Sequence, residues 1–402
     1  MRIGIIGNGL AGVMAAKTLR ESGFSGEVVL FAREKYHYYP RPNLIEFLAG
    51  NLPEGRLFAF PPAWYEERKL QVRLATPVRR ILSDPLGVEL EDGGQDAFDS
   101  LLLADGALSS LLPIAGVDRP GVFTLRTWDD AQALLAYLRD HRRVAVLGGG
   151  LLGLETARAL RARGADVLVV EFFDRLLPRQ LDGPAAALLK AQIEATGIKV
   201  RLGTTTEEIV GSARAEGLRF KDGGRAEADL VVVAAGVKPS LALAKEAGLT
   251  VDRGVVVDDF LRTSHPRIFA AGDNVQHQGR VYGIIPAAFE QSQAVALNIL
   301  GRNRAYRGTV PSNTLKVMGL YVTSAGLAIP EGEGFEELSA TDPGRGLYKK
   351  VVLQDGRLVG AIWMGTKEGA GQVARAAAQK RDVSKWREAL LQDGFDFSQI
   401  EK

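Results

Sequence analysis

The sequence contains no cysteine among its 402 residues. This absence excludes disulfide-stapled scaffolds, zinc sites built on thiolates, cysteine-held iron–sulfur clusters and any internal dithiol that could relay electrons. Histidine is scarce too, because the chain has only four, and their positions show no metal-ligand spacing. We therefore expect no metal site in the chain.

An excess of charge of one sign is also missing. Lys and Arg together number 50 and Asp and Glu 48, which gives a formal net charge of +2. A nucleic-acid binder usually concentrates a basic excess on one face, so we expect no nucleic-acid partner. No uninterrupted apolar run approaches the roughly 20 residues that a membrane-spanning helix needs. We expect a cytoplasmic protein without a membrane partner.

Glycine, in contrast, is abundant, with 46 residues, and part of this excess lies in a motif that occurs twice. Each copy is a β-like run, a G-x-G-x-x-G turn, a helix-forming stretch, a second β-like run and then an acidic residue. The first copy predicts a helix over residues 13–20 and the second a helix over residues 155–163. The motif residues are Gly7, Gly9, Gly12 and Glu34 in the first copy and Gly148, Gly150, Gly153 and Glu171 in the second.

This motif is typical of a dinucleotide-binding βαβ unit. The first glycine permits the tight strand-to-helix turn, the second lets a pyrophosphate approach the backbone, and the third allows close helix–strand packing. The phosphates lie at a helix N-terminus, where unpaired N–H groups and the helix dipole favour negative charge. Each acid follows its last glycine by about 20 residues, the spacing of a carboxylate that binds a ribose hydroxyl. Two complete copies therefore predict two bound dinucleotides.

A third motif indicates which dinucleotides these are. Residues 263–273 read T-S-H-P-R-I-F-A-A-G-D and resemble a stretch of the two-dinucleotide-binding-domain flavoproteins, the pyridine nucleotide oxidoreductases built like glutathione reductase. In that family the final aspartate hydrogen-bonds the ribityl chain of FAD. The resemblance implies that Gly272 and Asp273 contact FAD, that the first glycine motif holds FAD and that the second holds a nicotinamide dinucleotide.

The resemblance implies an α/β fold with two Rossmann-like, glutathione-reductase-like dinucleotide-binding domains and a smaller C-terminal α/β domain. The expected division is an FAD domain in two segments (1–110 and 239–304), a nicotinamide domain (111–238) and a C-terminal domain (305–402). Residues 311–320 and 322–326 resemble the start of the third domain of rubredoxin reductases and NADH oxidases. Residues 348–363 predict a hairpin around an Asp-Gly turn. The tail, residues 382–400, predicts a helix packed on its own domain.

Further cofactor contacts follow from the resemblance. Residues 101–106 stand where relatives have a strand that ends in Ala-Thr-Gly, and residues 231–239 match the second such junction. Asp105 replaces the family threonine, which leaves the hydrogen bonding at this point open. Ala288 and Gln291 belong to a helix that borders the flavin in relatives. The additional residues expected to contact the cofactors are Leu10, Ala11, Val78, Ala104, Gly106, Gly236 and Ala288.

Glu171 predicts a choice between the two nicotinamide dinucleotides. A carboxylate at this position accepts from the 2′- and 3′-hydroxyls of the ribose and repels a 2′-phosphate, so NADH is favoured over NADPH. Arg175, four residues further on, would partly offset that repulsion.

Residues 39–50 resemble the Y-x-R-P-x-L-x-x-x-L-x-G stretch of NADH:rubredoxin oxidoreductases and of nitrite reductase flavin modules. The resemblance implies that Arg41, with its neighbour Pro42, contacts the FAD pyrophosphate, a role that suits a bidentate guanidinium. Ferredoxin-reductase relatives carry a lysine near flavin N5 at about the position of Glu46, paired with a glutamate that matches Glu155. Glu155 is the candidate catalytic residue on the nicotinamide and flavin side. The alternative is an acid that only complements a helix dipole.

The missing cysteine decides where electrons can go in such a fold. Relatives that reduce disulfides pass electrons from the flavin to a cysteine pair, and this chain has none. We therefore expect hydride transfer from NADH to FAD, followed by single-electron transfer to a small carrier, with rubredoxin favoured. The alternatives are a cysteine-free NADH oxidase, the reductase component of a nitrite- or nitric-oxide-reducing system, and an NADH-responsive flavin-binding sensor. A homodimer is compatible with the sequence.

Overall fold

The computed structural model describes residues 1–310, 312–317, 319–387 and 389–401, with backbone only for 312–317 and 401. Pro311 and Met318, in the segment that resembles the start of a third domain, lie outside the described residues. The chain forms two compact units. One comprises Met1–Phe47, Leu52–Leu108 and Val237–Thr309, and the other Leu48–Asn51, Ser109–Gly236 and Val310–Lys402. The four-segment division expected from the sequence stays a prediction.

The first glycine motif lies in a parallel sheet of the first unit. Apart from the edge strand over residues 70–73, its strands are almost entirely buried and consist largely of Val, Ile and Leu, as a sheet covered by helices requires. The sheet order is β19 (Ile268–Ala270), β7 (Ser100–Leu103), β1 (Arg2–Ile6), β2 (Glu27–Phe31) and β3 (Leu70–Arg73), so β1 lies between β2 and β7. The elements up to residue 109 are β1 (Arg2–Ile6), α1 (Leu10–Glu21), β2 (Glu27–Phe31), α2 (Asn43–Ala49), α3 (Pro62–Glu67), β3 (Leu70–Arg73), β4 (Val78–Ser83), β5 (Leu86–Leu90), β6 (Gln95–Ala97), β7 (Ser100–Leu103) and β8 (Ala107–Ser109).

The second glycine motif repeats this arrangement in the second unit. Its parallel sheet has the order β12-β11-β10-β16-β9, with β10 between β11 and β16. Each copy also has a separate three-stranded antiparallel sheet, β4–β6 in the first and β13–β15 in the second. The elements are β9 (Val122–Phe123), α4 (Trp128–Leu138), β10 (Arg143–Leu147), α5 (Leu151–Ala162), β11 (Asp166–Val170), α6 (Gly183–Ala195), β12 (Lys199–Arg201), β13 (Thr206–Val210), β14 (Gly217–Phe220), β15 (Arg225–Glu227) and β16 (Leu230–Val233).

The chain then returns to the first unit, where β19 completes the parallel sheet. The elements of this segment are β17 (Val237–Pro239), α7 (Ala242–Glu246), β18 (Val255–Val257), β19 (Ile268–Ala270), β20 (Val275–His277), β21 (Arg280–Val281) and α8 (Ile285–Ile299). Helix α8 packs against α1, so the helix that carries Ala288 and Gln291 lies beside the helix of the first glycine motif.

The last segment forms an antiparallel sheet with order β22-β23-β26-β25-β24, covered by α9. Its elements are β22 (Ser312–Val317), β23 (Leu320–Gly326), β24 (Glu336–Asp342), β25 (Leu347–Gln354), β26 (Arg357–Met364), α9 (Ala370–Ala378) and α10 (Ser398–Glu401). The predicted hairpin is confirmed as β25 and β26.

Two predictions about helices are wrong in their bounds. Both motif helices begin before the last glycine, at Leu10 and Leu151, because Gly9 and Gly150 are their N-caps. In the described part of the tail, a short 3₁₀ turn and α10 replace the single predicted helix, since Gly394 has a φ of +76° and breaks it. The tail does pack on its own domain, where Leu390 and Ile400 are buried. No helix within the described ranges is long and apolar enough to cross a membrane.

Candidate functional site

The first glycine motif forms a tight turn between β1 and α1. Gly7 has a φ of +117°, and a Cβ built on it would collide with the carbonyl oxygen of Ala104. A Cβ on Gly12 would collide with the carbonyl oxygen of Gly7, whereas the Cβ position of Gly9 has open space around it. The N–H groups of Leu10 and Ala11 lie in the first turn of α1, where a helix offers them no acceptor. The turn is therefore closed on the protein side and open where a phosphate would bind.

The Gly272–Asp273 turn lies against the turn formed by Gly7, Gly9 and Gly12, which we call the first cradle. The two motifs are far apart in the sequence. The N–H of Gly272 donates to Gln291 Oε1 at 2.8 Å. A Cβ on Gly272, whose φ is +106°, would lie 3.1 Å from the Cβ of Ala11. The structure thus brings Asp273, Ala288 and the first glycine motif into one region of the first unit. That convergence is what binding of FAD by both motifs requires.

Asn274 completes this region and was not singled out in the sequence. Its side chain is fully buried and its Nδ2 donates to Leu103 O at 3.2 Å and to Asp105 Oδ1 at 2.8 Å. Its Oδ1 has no hydrogen-bond partner among the described residues and lies 4.0 Å from the Cβ position of Gly272. A buried acceptor without a donor carries a free-energy cost, which a hydroxyl group of a ligand would relieve. Its place next to Asp273 is the only signal that the sequence offers.

Glu34, the acid of the first copy, is held by side chains. Arg41 Nη2 donates to Glu34 Oε1 at 2.6 Å, and the hydroxyl of Tyr39 contacts both Glu34 and Arg41. Burial lowers the pKa of Arg41, but its hydrogen bond and charge interaction with Glu34 outweigh burial and raise that pKa above its ordinary value. The first acid is therefore neutralised by a fixed cation. Tyr39 is a further residue that sequence reasoning missed.

The remaining residues predicted for the first cradle surround it less directly. The N–H of Ala104 donates to Ile6 O at 2.8 Å at the end of β7, and Gly106 follows with a φ of +71°. Val78 begins β4 with a buried side chain, so its backbone is the part that a ligand could contact. Pro42 is exposed and immediately precedes α2. These roles stay predictions.

The second glycine motif has the same backbone as the first. Gly148 has a φ of +125°, and a Cβ built on it would collide with the carbonyl oxygen of Ala234. In the same way, a Cβ built on Gly7 would collide with the carbonyl oxygen of Ala104. A Cβ on Gly153 would collide with Gly148, while Gly150 has open space. Gly236 follows the fourth strand of the sheet with a φ of +89°, matching Gly106 in the first copy.

Glu171, the acid of the second copy, is held by backbone instead of side chains. Its exposed fraction is 6%, and it accepts from Gly149 N at 2.5 Å and from Phe173 N at 2.9 Å. Each carboxylate oxygen keeps a further lone pair for a ribose hydroxyl. The guanidinium of Arg175 donates to Asp174, Pro178 O and Leu181 O. The expected help of Arg175 in offsetting the charge of Glu171 stays a prediction.

Two aromatic rings stand exposed directly after Glu171, and the sequence analysis had not singled them out. Phe172 and Phe173 are 64% and 52% exposed, and their rings meet edge to face at 5.3 Å. Large exposed aromatic side chains usually mark a contact surface.

Glu155, the candidate catalytic residue, lies on α5 in the second unit. Arg158 Nη2 donates to its Oε2 at 2.9 Å, one turn along the helix. Each side chain is 21% exposed. An ion pair of this kind orients the carboxylate, and the catalytic role stays a prediction. No group of three or more His, Asp or Glu side chains among the described residues has metal-binding geometry.

Comparison with known proteins identifies the family. Residues 1–292 match the family model for pyridine nucleotide-disulphide oxidoreductases. The chain belongs to this family. Residues 311–381 match the model for the rubredoxin NAD⁺ reductase C-terminal domain. The predicted fold class, the FAD-dependent oxidoreductase class and the cofactors FAD and NADH are thereby confirmed at the level of the family.

The individual proteins that resemble this chain have different names and functions. A nitrite reductase [NAD(P)H] of Bacillus subtilis (strain 168) is 36% identical over 382 residues, covering 94% of this chain and 47% of the relative. A rubredoxin-NAD(+) reductase of Ectopseudomonas oleovorans is 36% identical over 309 residues, covering 75% of this chain and 80% of the relative. The structure of a covalent putidaredoxin reductase–putidaredoxin complex superposes with a TM-score of 0.89 at 26% identity, covering 100% of this chain and 98% of that one. The chain spans about half the length of the first curated relatives that it matches.

Proposed function

We propose that this chain is an NADH-dependent FAD oxidoreductase that passes electrons to a small redox carrier protein, with rubredoxin as the favoured acceptor. One observation carries the proposal: two glycine cradles, whose glutamates are held in different ways, occur in a chain without cysteine. Bound FAD would supply hydride acceptance and one-electron release, which no side chain of the protein offers. The chain itself has to hold and orient two dinucleotides.

The residues of the first cradle fit FAD. The turn at Gly9 and the start of α1 would hold the pyrophosphate, and Asp273 would accept from the ribityl chain. Arg41 pairs with Glu34, but a guanidinium has five N–H donors and can donate to a phosphate at the same time. Glu34 would accept from the ribose of the adenosine half.

The residues of the second cradle fit NADH. The turn at Gly150 and the start of α5 would hold its pyrophosphate, and Glu171 would accept from the ribose hydroxyls. Because Glu171 is held by backbone amides and not by a cation, its negative charge would disfavour the 2′-phosphate of NADPH. Phe172 and Phe173 offer flat apolar surface beside this acid for an adenine ring.

A reductase component of a nitrite-reducing system is the second candidate. The Bacillus subtilis nitrite reductase aligns with 94% of this chain, and that relative is about twice as long. In this version the acceptor would be a further redox domain or subunit, not a free carrier.

The test is reoxidation of the flavin after anaerobic reduction by NADH. The NADH-reduced protein is mixed in separate stopped-flow experiments with rubredoxin, a [2Fe–2S] ferredoxin and air-saturated buffer. We expect rubredoxin to reoxidise the flavin at least tenfold faster than oxygen does. Fast reoxidation by oxygen alone would indicate an oxidase. Reduction without reoxidation by any of the three would contradict the carrier proposal and favour either the nitrite-reductase component or a sensor.

A further inference from the structure

Asp105 stands where the family resemblance implies a threonine. It follows β7, in the first cradle, and the corresponding position of the second copy is Ala235. The parallel sheet places the ends of β1, β7 and β19 side by side. These ends carry Gly7, Asp105 and the Gly272–Asp273 turn. In sheets of this kind ligands bind outside the carboxyl ends of the strands, at the point where the strand order reverses.

The Asp105 carboxyl group links the end of β7 to the stretches of chain around Ser240 and Asn274. Its Oδ1 accepts from Asn274 Nδ2 at 2.8 Å, and its carboxyl group hydrogen-bonds to Ser240. The backbone reinforces this link, because the N–H of Ser240 donates to Gly106 O at 2.9 Å. Asn274 immediately follows Asp273. Asp105 thus fixes the turn that would hold the ribityl chain.

The charge of Asp105 is poorly compensated at this place. Among the described residues, Arg33 is the charged group that attracts the carboxylate, and it does so weakly; in the sequence, Asp273 adjoins its partner Asn274 and the exposed Lys238 lies two residues before Ser240. Burial raises the pKa of Asp105 to about 6, and the hydrogen bonds from Ser240 and Asn274 oppose this rise only in part. The carboxyl group therefore exchanges its proton within the range of pH in which proteins are usually handled.

The two phosphates of a dinucleotide would bring more negative charge to the same strand ends. Asn274, the partner of the Asp105 carboxyl group, has its Oδ1 4.0 Å from the Cβ position of Gly272, and that position lies 3.1 Å from the Cβ of Ala11 in the first turn of α1. An ionised Asp105 would repel the phosphates, whereas the protonated carboxyl group keeps one oxygen for Asn274 and can donate to Ser240 Oγ. Asn and Thr at this position would keep polar contacts without a charge.

We propose that Asp105 is a positioning residue that makes FAD retention depend on pH, because FAD binds more tightly to the chain when this carboxyl group is protonated. This inference rests on the proposed binding of FAD in the first cradle. By linkage, FAD binding takes up protons at pH values between the pKa of Asp105 in the FAD-free chain and its higher pKa in the complex.

The test is the Kd for FAD of the full-length chain, measured by flavin fluorescence between pH 5 and pH 8.5. For a rise of one pKa unit on binding, we expect the wild-type Kd to increase about tenfold across this range. Asp105→Asn and Asp105→Thr should each show a flat profile, and either variant suffices if the other does not fold. Ala235→Asp, which places an acid at the corresponding exposed position of the second copy, should keep the wild-type profile.

A calorimetric readout separates charge from structure. FAD binding at pH 7, repeated in buffers of different ionisation enthalpy, should show proton uptake by the wild type and none by Asp105→Asn. A pH-dependent Kd that survives in both Asp105 variants would overturn the inference. Absence of FAD binding at every pH would instead overturn the proposed function, whereas tight binding with a flat wild-type profile would overturn only the role of Asp105.

Discussion

The two glycine cradles have the same backbone conformation, but different groups hold their glutamates. In both, the N–H of the first glycine donates to the end of the neighbouring strand, Gly7 to Phe31 O at 2.9 Å and Gly148 to Val170 O at 2.8 Å. Glu34 in the first cradle pairs with Arg41 and Tyr39, whereas Glu171 in the second accepts from two backbone amides.

The difference shows that one sequence motif can provide two electrostatic environments. A side-chain cation cancels the charge of the first acid and adds donors for phosphate. Backbone amides orient the second acid without removing its net charge, so we expect it to select against an additional phosphate on the ribose. We therefore propose that the motif of each cradle binds a dinucleotide and that the residues around the acid determine which one.

We expect the largest effect on dinucleotide binding from substitutions that distort the turn of one cradle at a time. In Gly12→Ala and Gly153→Ala, the added Cβ would meet backbone oxygen with no space to relax. Such overpacking commonly costs about 1–3 kcal/mol or more. We expect Gly12→Ala to lose FAD on purification and Gly153→Ala to keep FAD but to need at least about 100-fold more NADH for reduction.

Flavin absorbance and anaerobic NADH titration measure both outcomes. Gly183→Ala is the matched control, because no neighbour lies within 4 Å of its Cβ position. Loss of FAD from Gly153→Ala with retention in Gly12→Ala would reverse the assignment of the two cradles.

A smaller effect is expected for Glu171→Gln. The change removes the charge of the second acid and one of its two backbone hydrogen bonds, which costs about 1–3 kcal/mol. We expect the Kd for NADH to rise about 10–100-fold and the preference for NADH over NADPH to shrink, as measured by titration of the FAD-loaded protein. Asp174→Asn, an exposed neighbour, is the control. An unchanged ratio of the two Kd values would argue against discrimination by Glu171.

Arg41→Lys should weaken only the first cradle. A lysine keeps the charge but loses the planar set of donors, so Glu34 and a phosphate could no longer be bound together. We expect about tenfold weaker FAD binding with an unchanged Kd for NADH. Arg56→Lys, at an exposed position of the same unit, should bind FAD as the wild type does. Equal losses for both dinucleotides would mean that Arg41 acts on the fold as a whole.

The last effect concerns the stability of the FAD-free chain and not binding. The pKa of Asp105 is raised in the folded state, so its protonated form stabilises the fold below about pH 4, and this contribution is lost as the pH rises to about 6. Asp105→Asn should therefore be more stable than the wild type above pH 6, by about 1–3 kcal/mol, and equally stable near pH 4. Urea unfolding at pH 4.5 and pH 7.5 tests this sign. A variant that is less stable at both pH values would contradict it.

Local patterns sufficed to predict the two cradles and their acids from the sequence. Glycine spacing encodes backbone conformation, and strands such as β2 and β11 follow from unbroken apolar runs. Contacts between distant segments could not be predicted in this way. Asn274 reaches Leu103 and Asp105 only because β7 and β19 are neighbours in the sheet, and Tyr39 meets Glu34 and Arg41 through a loop. Both motif helices begin earlier than the sequence pattern predicts, because Gly12 and Gly153 lie in the first helical turn and not in the turn before it.

The most direct test of the account is dinucleotide occupancy in the intact chain. The protein is incubated with FAD, freed of excess and titrated with NADH without oxygen while its absorbance is recorded. We predict one FAD per chain and full bleaching by about one equivalent of NADH. No bound flavin, two flavins per chain, or bound flavin that NADH fails to bleach would contradict the assignment of one cradle to each dinucleotide.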